Sequence, residues 1–228
     1  MKQSLILSLG GSLIVPDQID TAFLQQFRQI IVESLDRYEQ IMIVAGGGKT
    51  ARRYQDAARE IQNPPLDDLD WIGIHSSRLN GHLLRTIFRA QADPEMITNP
   101  ERMTPRTHKV IIAAGYRPGH STDYVATLMA QAYGVKDLVN LSNIDYVYDR
   151  DPKKDQKAVP LEQMTWKDFR LMVGDTWTPG KHVPFDPIAA KLGEELGLTV
   201  TVMNGANMEN LRSFLAGKAS KGTRIVPA

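Results

Sequence analysis

The sequence predicts an α/β protein built on a largely parallel sheet with helices on both faces, and three observations carry that prediction. Short apolar or β-branched runs, at Leu5–Leu9, Ile41–Ala45, 110–114, 138–141 and 199–203, alternate with segments whose apolar residues recur at helical spacing. The clearest run, Ile41–Ala45, is apolar throughout rather than alternating, as expected of a strand covered on both sides. Two runs end abruptly in clustered glycine, at Gly10-Gly11-Ser12 and Gly46-Gly47-Gly48-Lys49, where a strand hands over to a helix.

Leu5–Leu9 is the first strand. Met1-Lys2 ahead of an apolar stretch resembles a secretion signal, but two glycines interrupt that stretch, and Asp17 and Asp20 follow with no small-residue cleavage site. Asp20 then caps a helix carrying Phe23, Phe27, Ile30, Ile31 and Leu35. After Ile41–Ala45 comes a glycine-opened helix over about 50–61, the breaker Pro64-Pro65, and a helix over about 76–90 with Leu79, Leu83, Leu84 and Ile87 on one side. Beyond the strand 110–114, helices are expected over about 122–133, 165–173, 187–196 and 207–216, separated by the strands 138–141 and 199–203. Residues 146–160, dense in Asp, Lys and Pro, read as a polar loop or hairpin. Residues 174–186, with Gly174, Trp177, Pro179, Gly180 and Pro184, form a second irregular excursion.

The 228 residues show no internal repeat and no composition change that would divide them, so one domain is expected. The 27 Lys and Arg balance 26 Asp and Glu to a net charge of +1, and the basic residues are scattered, which argues against nucleic acid as a partner. Zero cysteines exclude disulfides, thiolate catalysis and cysteine-bound metals, and fit a cytoplasmic protein. No apolar stretch approaches the ~18 to 20 residues that span a bilayer, so a soluble protein without membrane contact is expected.

Glycine lets backbone N–H groups approach a phosphate closely, and a helix starting just afterwards adds its positive dipole end. Two such loops suggest a site for more than one phosphate, with Arg52 and Arg53 on the following helix turn in reach of it. Neither loop fits the Walker A or dinucleotide pattern, and each alone reads equally as a tight strand-to-helix turn. A third element, Pro118-Gly119-His120-Ser121-Thr122-Asp123, opens a helix after the strand 110–114. Ser121 or Thr122 there is either an N-cap or a phosphate ligand, Tyr116 and Arg117 flank the segment, and His120 is read as a positioning residue. The fourth element runs from Ser142 to Lys153 and contains Tyr148 and Asp151; by itself it reads as a charged turn.

The order strand-GGS, GGGK-x-A-R, GHSTD and a late S-N-x-D-x-V-Y-x-x-D-P closely resembles the amino acid kinase superfamily, and within it the archaeal uridylate kinase group. The likeness extends from Leu5 to Val226 and includes Asp186-Pro187 and Gly222-Thr223. It implies a three-layer αβα fold with a mainly parallel sheet of about eight strands. It also implies transfer of the γ-phosphoryl group of ATP, with Mg²⁺, to UMP in a homohexamer. The N-terminal part would serve mainly UMP and the C-terminal part mainly ATP. Carried over by position, Gly11, Ser12, Gly48, Arg52, Ser142, Tyr148 and Asp151 would meet ATP. Gly47, Asp70, Tyr116, Arg117, Pro118, Gly119, His120, Ser121 and Thr122 would meet UMP, with Arg78 and Asn80 on the helix lining that side. Gly10, Gly11 and Arg52 would act on the transferring group, the two loops holding it between them. Asp123 or Asp186 would orient a cation or a catalytic side chain, and no protein side chain is assigned to a metal. Asp186-Pro187 reads equally as a helix start.

Two positions depart from the family pattern. Ser8 stands where many superfamily kinases place a lysine, so Lys49, Arg52, Arg117 and Lys181 are candidates for the missing charge. Tyr146 replaces the usual glycine after Asp145, where it must avoid positive φ or accept strain; covering the adenine is one role for it. A kinase for another small phosphate or carboxylate, and a non-catalytic nucleotide-binding or storage homologue, are the alternative readings.

Overall fold

The structure, a computed structural model, describes every residue except Met1, Met103, Lys153, Asp175 and residues 177–182. The first half runs β1 (Leu5–Leu9), α1 (Gly11–Ile14), α2 (Thr21–Ser34), β2 (Ile41–Ala45), α3 (Gly48–Ile61), α4 (Leu66–Ile87), β3 (Val110–Ala113) and α5 (Thr122–Tyr133). The second runs β4 (Asp137–Ser142), β5 (Val147–Tyr148), β6 (Pro160–Leu161), β7 (Gln163–Thr165), α6 (Trp166–Val173), α7 (Pro187–Glu195), β8 (Thr199–Asn204), α8 (Met208–Leu215) and β9 (Thr223–Val226).

Seven strands form one sheet in the order β3-β2-β1-β4-β8-β9-β7. Every neighbouring pair is parallel except β8 with β9. The chain moves outward from β1 through β2 to β3, then returns to the other side of β1 with β4. The strand order therefore reverses between β1 and β4, the place where open α/β sheets bind ligands beyond their carboxyl ends. Seven strands stand where about eight were expected, since residues 92–97 touch the β3 edge only at two isolated bridges, Ala92–Val110 and Ile97–Ala113. β5 and β6 form a separate antiparallel hairpin within the polar stretch 146–160 and its border.

Both sheet faces are covered, which is why the strands carry apolar residues at successive positions. Leu5, Leu7 and Leu9 face α2 and α8, packing with Phe27, Ile31 and Leu211. Ile6 faces the other way, toward Val125 and Met129 of α5 and Trp166 of α6. Each fully buried large side chain contributes roughly 2 kcal/mol of apolar burial. By strand alternation Ser8 shares the face of Ile6, which aims its hydroxyl at α5.

The expected caps are in place. Asp20 accepts from Phe23 N at 2.9 Å, Ser121 from Tyr124 N at 3.1 Å, and Asp186 from Ile188 N and Ala189 N at 2.7 and 2.9 Å, with Pro187 in the first turn. One helix is corrected. α4 begins at Leu66, directly after Pro65 as its N-cap, rather than near residue 76, so Asp70 lies within it. Leu79 is also 65% exposed rather than on the buried side; Ile74, Ser77, Gly81 and Leu84 form the buried line. Strands β7 and β9 go beyond the expected set, as they are three and four residues long and pair with each other across the sequence.

Candidate active site

The two glycine loops touch. A Cβ on Gly11 would lie 2.0 Å from Gly48 N and 2.5 Å from Gly46 C, and one on Gly48 would lie 2.4 Å from Gly11 O. Gly48 also has φ +69°, in the left-handed region that favours glycine. The loops therefore abut side by side instead of standing apart as two walls around a phosphate, and close backbone approach is one reason for their glycines. Gly10 does not offer a free amide either, since its N–H donates to Leu141 O at 2.9 Å; Gly46 N likewise donates to Leu9 O at 2.9 Å. The amides of Gly11, Ser12, Gly47 and Gly48 have no acceptor among the described residues. Four donors at two adjoining chain turns can accept an anion.

Helix α4 fixes this corner. Asn80 Nδ2 donates to Gly46 O at 2.8 Å and Gly47 O at 3.2 Å, and Ser76 Oγ donates to Gly47 O at 2.8 Å. One turn over, Ser77 Oγ accepts from Gly115 N at 2.6 Å, while Arg78 donates to Gly115 O and Tyr116 O, both at 3.0 Å. Ser76 and Ser77 are the site residues that sequence reasoning missed. Their available signal is the Ser-Ser-x-x-Asn spacing of Ser76, Ser77 and Asn80, buried polar residues on an otherwise apolar helix side, which a packed helix tolerates only with partners supplied.

Between α3, α4 and the 115–122 loop lies a cleft of about 270 Å³, whose lining includes Gly47, Gly48, Arg52, Asp70, His120, Ser121 and Thr122. Arg52 is exposed there and has no hydrogen-bond or ion-pair partner among the described residues. The other candidate cations are engaged or undescribed. Lys49 and Arg53 both bind Asp17, at 2.9 and 2.6 Å, and hold its carboxyl below the ordinary range, the Lys49 hydrogen bond most strongly. Arg117 pairs with Glu101 at 3.3 Å, and Lys181 falls outside the described residues, as do Trp177, Pro179, Gly180 and His182. Asp70 faces the cleft from α4, and its Oδ2 accepts from Gly119 N at 2.8 Å, leaving Oδ1 available. Pro118 O lies 3.0 Å from His120 Nδ1; Tyr116, Arg117, Pro118 and Gly119 do not themselves line the cleft, and Tyr116 and Arg117 contact Glu101 instead.

Ser8 reaches a buried polar knot rather than the cleft. Its hydroxyl donates to Asp123 Oδ1 at 2.9 Å, Asn140 Nδ2 lies 3.4 Å from the same oxygen, and Asp186 N lies 3.3 Å from Oδ2. Burial, with the charge of Asp186 adding to it and the Ser8 hydrogen bond opposing, pushes the Asp123 carboxyl up to about 6. Asp186 is 5% exposed and occupied as a helix cap. Among the described residues no group of three or more His, Cys, Asp or Glu could hold a metal ion.

The late motif surrounds the end of β4. Ser142 O accepts from Gly205 N at 2.8 Å, and the Ser142 Cα lies 3.9 Å from a Cβ built on Gly10, so this residue adjoins the first glycine loop. Tyr148 lies in the β5–β6 hairpin and Asp151 follows it, and neither lines the 270 Å³ cleft. Val147 N donates to Thr223 Oγ1 at 2.8 Å, tying the hairpin to β9. Tyr146 avoids strain, since no described non-glycine residue has positive φ, and it lines a different cleft, of about 300 Å³, with Phe214 and Arg224.

A mainly parallel sheet with glycine amides at its switch point that no described residue accepts from, and an arginine without a described partner facing a carboxylate across one cleft, defines an α/β protein equipped to hold phosphorylated ligands. Residues 3–204 match the amino acid kinase family, and the chain belongs to it. It is 33% identical over 229 residues to a uridylate kinase of Thermoplasma volcanium, covering 99% of this chain and 98% of that one. A uridylate kinase of Hyperthermus butylicus is 30% identical over 95% of this chain and 96% of its own. The crystal structure of uridylate kinase from Archaeoglobus fulgidus superposes with a TM-score of 0.84 at 30% identity, covering 99% of this chain and 100% of that one.

Proposed function

We propose that this chain is an ATP-dependent uridylate kinase, converting UMP and ATP to UDP and ADP. The observation that carries the reading is the cleft in which Arg52, the Gly47 and Gly48 amides and Asp70 converge on the 115–122 loop. It offers a cation and backbone donors for a phosphate, and at the far end a carboxylate for a ribose hydroxyl. Near-full-length relatives named uridylate kinase support the acceptor assignment.

Phosphoryl transfer asks the protein mainly to align acceptor and donor and to stabilise charge on the moving group. In this reading Asp70 and the segment from Tyr116 to Thr122 orient UMP, with Gly47 at its phosphate. Gly11, Ser12, Gly48, Ser142, Tyr148 and Asp151 serve ATP. Arg52, which Ser8 leaves as the one unpaired described cation lining the cleft, neutralises charge on the transferring group. Gly10 acts by letting β1 pack against Leu141 O. Asp123 sits behind Ser8 and positions the α5 and α7 helix starts, with Asp186 as its neighbour. Mg²⁺ accompanying ATP would supply further charge neutralisation. The N-terminal half is mainly the acceptor side and the C-terminal half mainly the donor side.

A homohexamer is proposed as the assembly, supported by apolar residues left exposed on α3 and α4, among them Tyr54, Ile61, Leu66 and Leu79. No described helix is long and apolar enough to cross a membrane, and a cytoplasmic location is proposed with it. ADP release measured with UMP, CMP and a panel of small phosphates and carboxylates tests the activity. UMP should be turned over with the highest kcat/KM; no turnover with UMP and turnover with an acid would replace this reading.

A further inference from the structure

The acceptor loop is held from two sides. On the inner side α4 grips it through Ser77, Arg78 and Asp70. On the outer side a residue outside the family motifs takes hold. Glu101 Oε2 accepts from Tyr116 OH at 2.9 Å, and its Oε1 lies 3.3 Å from Arg117 Nη2. The Arg117 guanidinium in turn lies 4.9 Å from the centre of the Tyr116 ring, within cation–π range. Tyr116 packs edge-on against His120 at 5.6 Å, and His120, which lines the cleft, also contacts Tyr124 at 4.9 Å. Contacts thus run from Glu101 through Tyr116 and Arg117 to a residue of the cleft wall.

Glu101 is itself anchored. Its N–H donates to Asn99 Oδ1 at 3.0 Å, Tyr133 OH donates to Thr104 O at 3.1 Å, and Arg106 forms an ion pair with Asp93 in which both side chains are largely buried. The carboxylate therefore stands on a braced segment. An isolated surface pair such as Glu101 with Arg117, each about half exposed, would contribute little stability. What distinguishes this one is that both carboxylate oxygens are committed to neighbouring residues of one ligand loop. Ordering such side chains at the moment of binding would otherwise weaken affinity.

We propose that Glu101 is a positioning residue for the acceptor site, presetting the 115–122 loop through Tyr116 and Arg117 before the acceptor arrives. The identity of the acceptor rests on the uridylate kinase reading; the positioning itself does not. Two readouts separate them: amide hydrogen exchange of residues 116–120 in the unliganded full-length protein, and the KM for UMP and for ATP. Glu101→Ala should speed exchange in this loop and raise the UMP KM about fivefold, from the ordering of one or two side chains, while kcat and the ATP KM stay within about twofold. Glu101→Gln, which keeps an oxygen for the tyrosine hydroxyl, should fall between wild type and Glu101→Ala. In an Arg117→Ala background, Glu101→Ala should have a smaller effect than alone. Unchanged exchange in Glu101→Ala would overturn the proposal whatever the acceptor is. So would a UMP KM that stays constant, or an ATP KM that rises as much. If wild type exchanges as expected but does not phosphorylate UMP, the activity assignment fails and Glu101 is still judged by exchange.

Discussion

The two halves of the candidate site are built differently. On the proposed acceptor side, one helix holds both the second glycine loop and the 115–122 loop through side-chain hydrogen bonds to backbone from Ser76, Ser77, Arg78 and Asn80. On the proposed donor side, Tyr148 and Asp151 ride on a hairpin of two-residue strands, tied to the sheet by Val147 N to Thr223 Oγ1 and by the bond of Thr223 Oγ1 to Leu161 O. Helix-mounted groups are held rigidly by packing, whereas a short hairpin is marginal without support. If the proposed assignment holds, the acceptor groups are held by a packed helix and the hairpin-borne donor groups by fewer ties, so the two sides should respond differently to substitution.

That comparison can be broken at several points. The largest effect is expected from Arg52→Ala, which removes the cleft cation that has no partner among the described residues. Turnover should fall about 10²- to 10³-fold, the size seen when one preorganised charge-stabilising group is lost, with the melting temperature nearly unchanged. Steady-state ADP release and a thermal melt check both halves of that statement.

Next comes the buried Asp123. Its folded pKa of about 6 stands above its ordinary 3.8, so the neutral acid is the form the fold prefers. The stability this contributes is fully present below about pH 4 and is lost as the pH rises through 6, about 3 kcal/mol at most. Urea midpoints from pH 4 to 7 should therefore fall more steeply in wild type than in Asp123→Asn, and parallel curves would mean the carboxyl is not held in this way. Asp17 and Asp93 have lowered pKa values, so their contributions are lost only below about pH 4 and do not fall in this window.

Asn80→Ala should cost about 1 to 3 kcal/mol, because the Gly46 and Gly47 carbonyls lose a buried donor, and it should raise the UMP KM through the loosened loop. Urea unfolding reports the first and kinetics the second. The smallest effect belongs to the donor hairpin. Tyr148→Ala should raise the ATP KM a few-fold, roughly the value of one aromatic contact, and leave the UMP KM alone. If Tyr148→Ala instead disturbed UMP as much as Asn80→Ala does, the proposed division of labour would be lost.

Much of this was legible in the chain. Ile41–Ala45 is apolar at every position and must be a strand covered on both sides, and Asp20, Ser121 and Asp186 each announce a helix start by cap chemistry. Other features depend on distance in space. Strands β7 and β9 are too short to show a period and owe their existence to each other. The first ten residues of α4 are masked by Pro64-Pro65, which reads as a break but supplies the N-cap. Contact between the glycine loops is a tertiary event that no spacing reveals; the family resemblance implied that they hold a phosphate between them, and packing sets their backbones edge to edge. Ser8 shows the same limit. Its position predicts a missing charge, but only strand parity and the placement of α5 show that its hydroxyl goes to Asp123 and leaves Arg52 to the cleft.

If the acceptor is read on the α4 side, Asp70 is the residue whose loss separates the two substrates most cleanly. Steady-state kinetics of Asp70→Ala, varying UMP at saturating ATP and then the reverse, should show a UMP KM raised about tenfold and an ATP KM within about twofold of wild type, as expected for one lost hydrogen bond to a charged group. An ATP KM that rises while the UMP KM holds would mean the two sites are exchanged and would contradict the account.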